Sequence, residues 1–150
     1  MSTMQRPVLV GEFDFTLDAK NRVAVPARLR SAFVDGIYVT QENERCLGGY
    51  SPGEFQRRLE EDVEVTTAGS VARRNVKRRL AATAVFFPEL DRQGRVTLPA
   101  KHLEYAGVTR DVTVIGVADH LEIWDRAAWT EYLAHLEEEA DATADEHSTP

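Results

Sequence analysis

One stretch of twelve residues occurs twice in the chain, and the two copies are 73 residues apart. The first copy is LDAKNRVAVPAR at 17–28, and the second is LDRQGRVTLPAK at 90–101. Leu, Asp, Arg, Val, Pro and Ala stand at the same places in both copies. A match this dense indicates an internal duplication, so both halves must build the same local structure.

Each copy is predicted to be a turn followed by a short strand. Val23 and Val25 alternate with Ala24, which is the period of a strand that buries one face. Pro26 ends this strand, because proline has no N–H to donate to a ladder, and it suits the first turn of a following helix. The second copy has the same pattern at the equivalent positions.

The turn of each copy lies between its Asp and its Arg. Asn21 and Gly94 occupy equivalent places there, and both residue types tolerate a left-handed backbone. We expect Asp18 and Asp91 to be structural turn residues that accept hydrogen bonds from the turn N–H groups. The loops then project four cations, which are Lys20, Arg22, Arg92 and Arg95.

The segments after the motifs also repeat, at an offset of 74, in the pairs Tyr50 and Trp124, Phe55 and Trp129, and Leu59 and Leu133. Ser51 predicts the start of one helix, and Asp125 predicts the cap of another whose apolar stripe ends at Leu136. A short opening strand is predicted at 8–10, continued up to the first motif by Phe13 and Phe15 in alternation with Asp14 and Thr16.

Between the halves, a helix with one cationic face is predicted after a joint at 65–69. Its cations are Arg73, Arg74, Lys77, Arg78 and Arg79. Such a face can hold phosphate, but a face that is solvated or forms salt bridges with another subunit is the more common case.

The net charge of −7 is unevenly distributed. Residues 137–150 contain six acidic residues and no Lys or Arg, so the rest of the chain carries −1. A run of like charge without apolar anchors is predicted to be disordered. The potential at the projecting loops, rather than the total charge, then decides which partner binds.

The sequence predicts neither export nor membrane insertion. Residues 1–11 lack the length and flanks of a signal peptide, and no run approaches the roughly 20 apolar residues that cross a bilayer. The one cysteine, Cys46, excludes an intrachain disulfide and suits a reducing compartment. We therefore expect a soluble cytoplasmic protein.

Catalysis finds little support in the sequence. The four histidines have no cysteine or carboxylate partner at metal-ligand spacing, and none lies beside a candidate nucleophile. There is no glycine loop of the phosphate-binding type. We predict no catalytic residue, no metal site and no cofactor.

The two Asp-x-x-x-Arg motifs with Pro-Ala, together with LEIWD at 121–125 before a Trp-containing helix, resemble the MraZ family of bacterial transcriptional regulators. The resemblance covers about 8–136. It implies an α+β, mainly β fold, in which two SpoVT-AbrB (swapped-hairpin) units form one pseudo-two-fold β-barrel with flanking helices. The implied divisions are a first unit at 8–53, a helical connector at 54–81, a second unit at 82–126, a closing helix at 127–136 and the acidic tail at 137–150.

The resemblance also implies a DNA-binding regulator at the nucleoid. It would repress its own division and cell-wall gene cluster, bind direct repeats in promoter DNA and form a homo-oligomeric ring of the octamer type. The family's DNA contacts fall on turn residues, here Lys20, Asn21, Arg22, Gln93, Gly94 and Arg95. Asn21 replaces a common glycine, and Gln93 replaces a lysine, which predicts that the first turn carries more of the electrostatic affinity.

Both motif arginines have a structural alternative. Arg22 and Arg95 can brace their turns against the aspartates, or they can donate to guanine or phosphate, which is the interpretation we favour. Arg28, Arg92 and Lys101 are further DNA-binding candidates, although solvated surface is the interpretation we favour for Arg28 and Lys101. An antitoxin-like or other protein-interaction module also stays open, although antitoxins of this fold usually carry one copy of the motif.

Overall fold

The computed structural model describes residues 6–64 and 71–148, and these ranges contain eight strands and five helices. The strands are β1 (Glu12–Thr16), β2 (Arg22–Ala24), β3 (Ile37–Gln41), β4 (Leu47–Tyr50), β5 (Val85–Phe87), β6 (Arg95–Thr97), β7 (Asp111–Gly116) and β8 (Leu121–Asp125). The helices are a short 3-10 helix (Ala27–Phe33), α1 (Pro52–Glu64), α2 (Val71–Thr83), α3 (Ala100–Ala106) and α4 (Arg126–Ser148). The predicted joint at 65–69 lies outside the described residues.

Six strands form one antiparallel sheet in the order β1-β7-β8-β4-β3-β5, while β2 and β6 pair separately. Exchanging β1 with β5, β3 with β7 and β4 with β8 gives the same order from the opposite edge. The strand order therefore has the pseudo-two-fold relation that the family resemblance implies.

The edge strands cross between the halves. β1 pairs with β7 of the second half, with Phe13 opposite Val114. β5 pairs with β3 of the first half, with Phe86 opposite Tyr38. Neither half completes its part of the sheet alone, so the duplicated halves share one sheet.

The core lies between this sheet and the β2–β6 ribbon. Val23 and Val96 are opposite each other in the ribbon, and they are 1% and 4% exposed. They belong to one apolar cluster with sheet residues that include Val39, Val112 and Leu121. Burial of each such side chain contributes about 1.5–3 kcal/mol, so the ribbon is held onto the sheet by packing.

Two helices begin where the sequence predicts. Ser51 lies just before α1, and its Oγ accepts a hydrogen bond from the N–H of Glu54 at 3.4 Å. Asp125 lies just before α4, and its Oδ2 accepts a hydrogen bond from the N–H of Ala128 at 3.1 Å. Both caps satisfy N–H groups that have no partner within the helix.

The α+β class is confirmed, but the strands differ from prediction in detail. The sheet of the described residues is open, with β1 and β5 as its edges, because the chain leaves the sheet at each motif to build the separate ribbon. Helices hold more residues than strands, so the fold is not mainly β. The predicted strand at 8–10 is only one bridge between Leu9 and Ala118, since Gly11 interrupts the extended chain at φ 110°. The swapped-hairpin arrangement stays a prediction.

The closing helix is longer than predicted, because α4 continues past Leu136 to Ser148. The stretch after Leu136 is rich in alanine and glutamate, which are strong helix formers, and it has no glycine or proline before Pro150. The side chains at 137–143 are exposed. The tail predicted to be disordered is therefore helical over 137–148, and its side chains are exposed over 137–143. None of the described helices is long and apolar enough to cross a bilayer.

Candidate nucleic-acid interface

The two sequence motifs meet in the β2–β6 ribbon. The strands are antiparallel, and Val23 lies opposite Val96 at the centre. Each turn precedes its own strand, so the two turns lie at opposite ends of the ribbon. The repeat thus brings together the two stretches that the sequence singles out.

One further hydrogen bond ties each turn to the other half of the chain. The N–H of Val25 donates to the Gly94 carbonyl at 2.8 Å, and the N–H of Leu98 donates to the Asn21 carbonyl at 2.9 Å. These bonds are equivalent under the 73-residue offset. The position of each turn therefore depends on the opposite half.

The first turn is built around Asp18. Its Oδ1 accepts hydrogen bonds from the N–H groups of Lys20 and Arg22, each at 2.9 Å. Its carbonyl accepts a hydrogen bond from the N–H of Asn21 at 3.0 Å. Asn21 has a φ of 58°, the left-handed conformation expected from the sequence. One aspartate thus bonds three backbone N–H groups of the loop.

The second turn has the same frame. Oδ1 of Asp91 accepts hydrogen bonds from the N–H groups of Gln93 at 2.9 Å and Arg95 at 2.8 Å. Its carbonyl accepts a hydrogen bond from the N–H of Gly94 at 2.9 Å, and Gly94 has a φ of 75°. The duplicated motif therefore specifies a duplicated turn, bond for bond.

Both motif arginines contact the turn aspartates. Nε of Arg22 donates to Oδ2 of Asp18 at 2.5 Å, and Nε of Arg95 donates to Oδ2 of Asp91 at 3.0 Å. Nη1 of Arg95 also donates to Oδ2 of Asp18 at 3.3 Å. The bracing contacts of the structural alternative are thus present. The side chains of Arg22 and Arg95 are 29% and 23% exposed, so each keeps a surface that faces solvent.

These bonds set the charge of the aspartates. The N–H of Arg22, reinforced by its guanidinium, holds the pKa of Asp18 below its ordinary value of 3.8. Partial desolvation opposes the same shift at Asp91, but hydrogen bonds from Arg95 and Gln93 outweigh it and lower the pKa of Asp91 too. Both carboxylates are ionised at neutral pH, and each is compensated by arginine. A phosphate near a turn therefore does not meet an unpaired carboxylate.

The outer surface of the turns is formed by Lys20, Asn21, Arg92 and Gln93, which are all exposed. Within the described part of the chain, Lys20 and Arg92 have no salt bridge, so their charges are available to a ligand.

Two further cationic candidates lie behind the turns. Arg28 and Lys101 are both exposed. The guanidinium of Arg28 lies over the ring of Phe13, 5.4 Å from its centroid, which orients it along the protein surface.

Gly94 is buried, because the side chain of Arg30 covers it. A Cβ atom on Gly94 would lie 2.1 Å from Nε of Arg30. That Nε donates to the carbonyl of Val25 at 2.8 Å. Arg30 is absent from the sequence-based candidates. One feature of the sequence could have identified Arg30. The two halves differ at this position, because Leu103 is the residue equivalent to Arg30.

The cationic helix α2 packs on α1 and β3. The guanidinium of Arg79 lies over the ring of Tyr105, 5.3 Å from its centroid. Nη1 of Arg78 donates to Oδ1 of Asn75 at 2.9 Å. At least part of this face therefore has protein partners.

One group of side chains with metal-ligand chemistry lies outside the ribbon. Ligand atoms of Glu44, Cys46 and Glu122 lie within 4.8 Å of one another. Burial raises the pKa of the Cys46 thiol, and neighbouring Glu122 adds to the shift. Glu122 also accepts a hydrogen bond from Nε1 of Trp124 at 3.0 Å and lies 3.3 Å from Nε2 of His120. The thiol and Glu122 therefore already have protein partners.

Comparison with known proteins matches both halves to one family. The family model described as "MraZ protein, putative antitoxin-like" matches residues 8–78 and again 81–149. The chain is 37% identical over 139 residues to a protein of Mycobacterium ulcerans named Transcriptional regulator MraZ, covering 93% of this chain and 96% of that protein. It is 38% identical over 130 residues to proteins of the same name from Micrococcus luteus and Mycobacterium leprae, covering 87% of this chain and 90% of each relative. The chain therefore belongs to the MraZ family.

Proposed function

We propose that this chain is a sequence-specific DNA-binding transcription regulator whose two turns contact double-stranded DNA. The observation that carries the proposal is the pair of equivalent turns, each braced by an aspartate. Each turn also has an exposed cation, Lys20 or Arg92, that forms no salt bridge among the described residues. The relatives named transcriptional regulators support the same conclusion.

The turn side chains divide the work of binding by their chemistry. Lys20 and Arg92 attract phosphate, because they are exposed and have no salt bridge with any described residue. Arg22 is held through Nε, so its two Nη groups can donate to guanine O6 and N7 or to a phosphate. Arg95 keeps Nη2 for the same purpose, while Nη1 bonds Asp18. Asn21 and Gln93 add amide groups that can bond base edges.

In the cell, the protein acts in the cytoplasm at the nucleoid, on promoter DNA upstream of its own division and cell-wall gene cluster. It represses this cluster as a homo-oligomeric ring that binds direct repeats. The family resemblance supports this part of the proposal.

A titration of the protein against the DNA upstream of its own gene tests DNA binding, with a scrambled fragment as the control. Arg22→Ala and Arg95→Ala should each weaken specific binding by roughly 1–3 kcal/mol, the value of one bidentate base contact. Arg57→Ala removes a charge from α1, where Arg57 pairs with Glu54, and should leave binding unchanged. Circular dichroism verifies the fold of each variant. A double arginine variant that binds as tightly as the parent would refute the proposal.

An antitoxin-like interaction module is a second candidate, since the family description itself uses that term. The exposed acidic end of α4 would then be the surface that meets a basic partner. Two observations together would favour this candidate. One is a small toxin, encoded beside the gene, whose activity the chain neutralises. The other is that the chain does not bind the upstream DNA.

A further inference from the structure

We propose that Arg30, which belongs to the first half of the chain, supplies an additional phosphate-binding cation to the second turn. This inference rests on the proposed function, and it reverses one expectation from the sequence. The replacement of lysine by Gln93 predicts a weaker second turn. With Arg30 added, the second turn becomes the stronger site for phosphate.

The guanidinium of Arg30 lies against the backbone of the second turn. A Cβ atom on Gly94 would lie 2.1 Å from Nε and 2.4 Å from Cζ of Arg30, so the guanidinium lies directly on the backbone of the turn. Gly94 is buried for this reason. A phosphate that approaches this side of the turn meets Arg30 before it meets the peptide backbone.

A hydrogen bond fixes the side chain of Arg30 in place. Nε of Arg30 donates to the carbonyl of Val25 at 2.8 Å, and the N–H of Val25 donates to the carbonyl of Gly94 at the same distance. Val25 thus bonds both the arginine and the turn that the arginine covers. A cation held in this way loses little conformational entropy when it binds an anion.

The positive charge of Arg30 remains available to a ligand. Within the described residues, the Nε bond to Val25 is the one hydrogen bond of the Arg30 side chain, and no salt bridge neutralises it. Arg95 differs, since it is paired with Asp91 and Asp18. Both Nη groups of Arg30 remain for a ligand, and a planar guanidinium matches two phosphate oxygens.

The first turn differs from the second at the position equivalent to Arg30. The residue equivalent to Arg30 is Leu103, which belongs to the apolar core and is 9% exposed. Asn21, the equivalent of Gly94, is exposed. The two turns therefore share a backbone frame, but only the second is covered by a cation.

The test compares Arg30→Leu with the parent protein on the upstream DNA at several salt concentrations. Arg30→Leu gives the second turn the residue that the first turn has. We expect affinity to fall roughly tenfold or more, as for removal of a charged hydrogen bond. The slope of log affinity against log salt should become shallower by about 0.9 for each phosphate that the variant no longer neutralises. Arg30→Lys should keep most of the slope, and the control Arg57→Leu should change neither quantity.

A second pair of variants separates charge from structure. Arg30→Gln keeps a donor for the Val25 carbonyl without the charge, and its slope should become shallower by the same amount. Adding Gln93→Lys to Arg30→Leu restores a cation to the second turn, so it should restore the slope. Circular dichroism and thermal unfolding of every variant verify the fold.

Two results would overturn the inference. In one, both uncharged variants bind with the affinity of the parent. In the other, they bind more weakly at an unchanged salt slope, which would give Arg30 a purely structural role. The proposed function has its own test, since it fails only when the double variant of Arg22 and Arg95 also binds normally. Loss of binding in that double variant with no effect at Arg30 refutes this inference alone.

Discussion

Oδ2 of Asp18 accepts hydrogen bonds from arginines of both halves, because Nη1 of Arg95 reaches it at 3.3 Å from 77 residues away. Arg22 of its own motif contacts the same oxygen at 2.5 Å. Asp91, the repeat equivalent, bonds only Arg95 among the described arginines. The two turns are therefore unequal despite their common frame, and Asp18 is the carboxylate that couples them.

Replacing each turn aspartate tests this asymmetry. Asp18→Asn and Asp91→Asn should both lower the midpoint of thermal unfolding, because the amide oxygen can keep the two turn N–H bonds of Oδ1 while the amide NH2 group replaces Oδ2, the acceptor of the arginine. Asp18→Asn should have the larger effect, since it loses two arginine partners. Asp35→Asn, at an exposed aspartate outside the turns, is the control. An equal or larger effect at Asp91 would contradict the coupling role of Asp18.

The hydrogen bonds of Asp18 also predict that the stability of the protein depends on pH in the acid range. The folded pKa of Asp18 lies below its ordinary value of 3.8, mainly because of the N–H of Arg22. Its stabilisation is therefore present above that value and is lost as pH falls through the folded pKa. Unfolding midpoints measured from pH 5 downward should fall more steeply for the parent than for Asp18→Asn. If the midpoints of the parent and of Asp18→Asn fall in parallel with pH, the contribution of Asp18 to stability is excluded.

Glu42 predicts a pH dependence of stability with the opposite sign to that of Asp18. It is 5% exposed, and its carboxylate accepts hydrogen bonds from Thr40 at 2.5 Å and Tyr50 at 3.2 Å. Burial raises the pKa of Glu42 above 4.5, although the Thr40 hydrogen bond opposes the shift. The folded state therefore holds the proton more tightly, and the contribution is present below pH 4.5 and is lost as pH rises through the folded pKa.

Glu42→Gln tests this prediction, since glutamine keeps an acceptor for both hydroxyls and cannot ionise. As pH rises from 4 to 8, the unfolding midpoint of the variant should rise relative to that of the parent. Glu44→Gln, two residues away and exposed, is the control. A difference that is constant with pH would mean that Glu42 does not titrate in this range.

Gly48 is required by the same buried group. A Cβ atom there would lie 2.6 Å from Oε2 of Glu42 and from Oγ1 of Thr40. Gly48→Ala should cost about 1–3 kcal/mol of unfolding free energy, as overpacking does. Gly53→Ala, where a Cβ atom meets nothing within 4 Å in α1, should be neutral or stabilise by about 0.5–1 kcal/mol. Denaturant unfolding that ranks the two variants the other way would contradict this account.

Local features were accessible from the sequence because each depends on neighbouring residues. The left-handed turn at Asn21 follows from its residue type and place, and the cap at Asp125 follows from the start of an apolar stripe. The long-range features were not accessible. The pairing of β5 with β3 joins segments about 50 residues apart, and the contact of Arg30 with Gly94 crosses between the halves. No period in the sequence encodes either contact.

The acidic end of α4 predicts a salt-dependent effect on DNA binding. Removing the residues after Leu136 should raise non-specific affinity, most at low salt, because it removes six acidic residues that compete with phosphate for cations. It should also reduce helicity by circular dichroism with little change in unfolding midpoint, since the side chains at 137–143 are exposed. Glu137→Gln/Glu138→Gln/Glu139→Gln keeps the chain length and should raise affinity in the same direction. Truncation without any effect at low salt would contradict the competition.

We expect several subunits to bind the same DNA duplex at once. Each turn offers few cations, so one subunit should bind weakly, and tight binding needs several subunits on the same DNA. Subunits of a ring present their turns in the same sense, so the target should be direct repeats about 10–10.5 base pairs apart, one turn of the double helix. Inserting about five base pairs between repeats, half that turn, should abolish tight binding, and inserting a full turn should partly restore it. Light scattering at the same protein concentration reports the oligomer. Tight binding by a monomer, or affinity that is indifferent to both insertions, would exclude the multivalent arrangement.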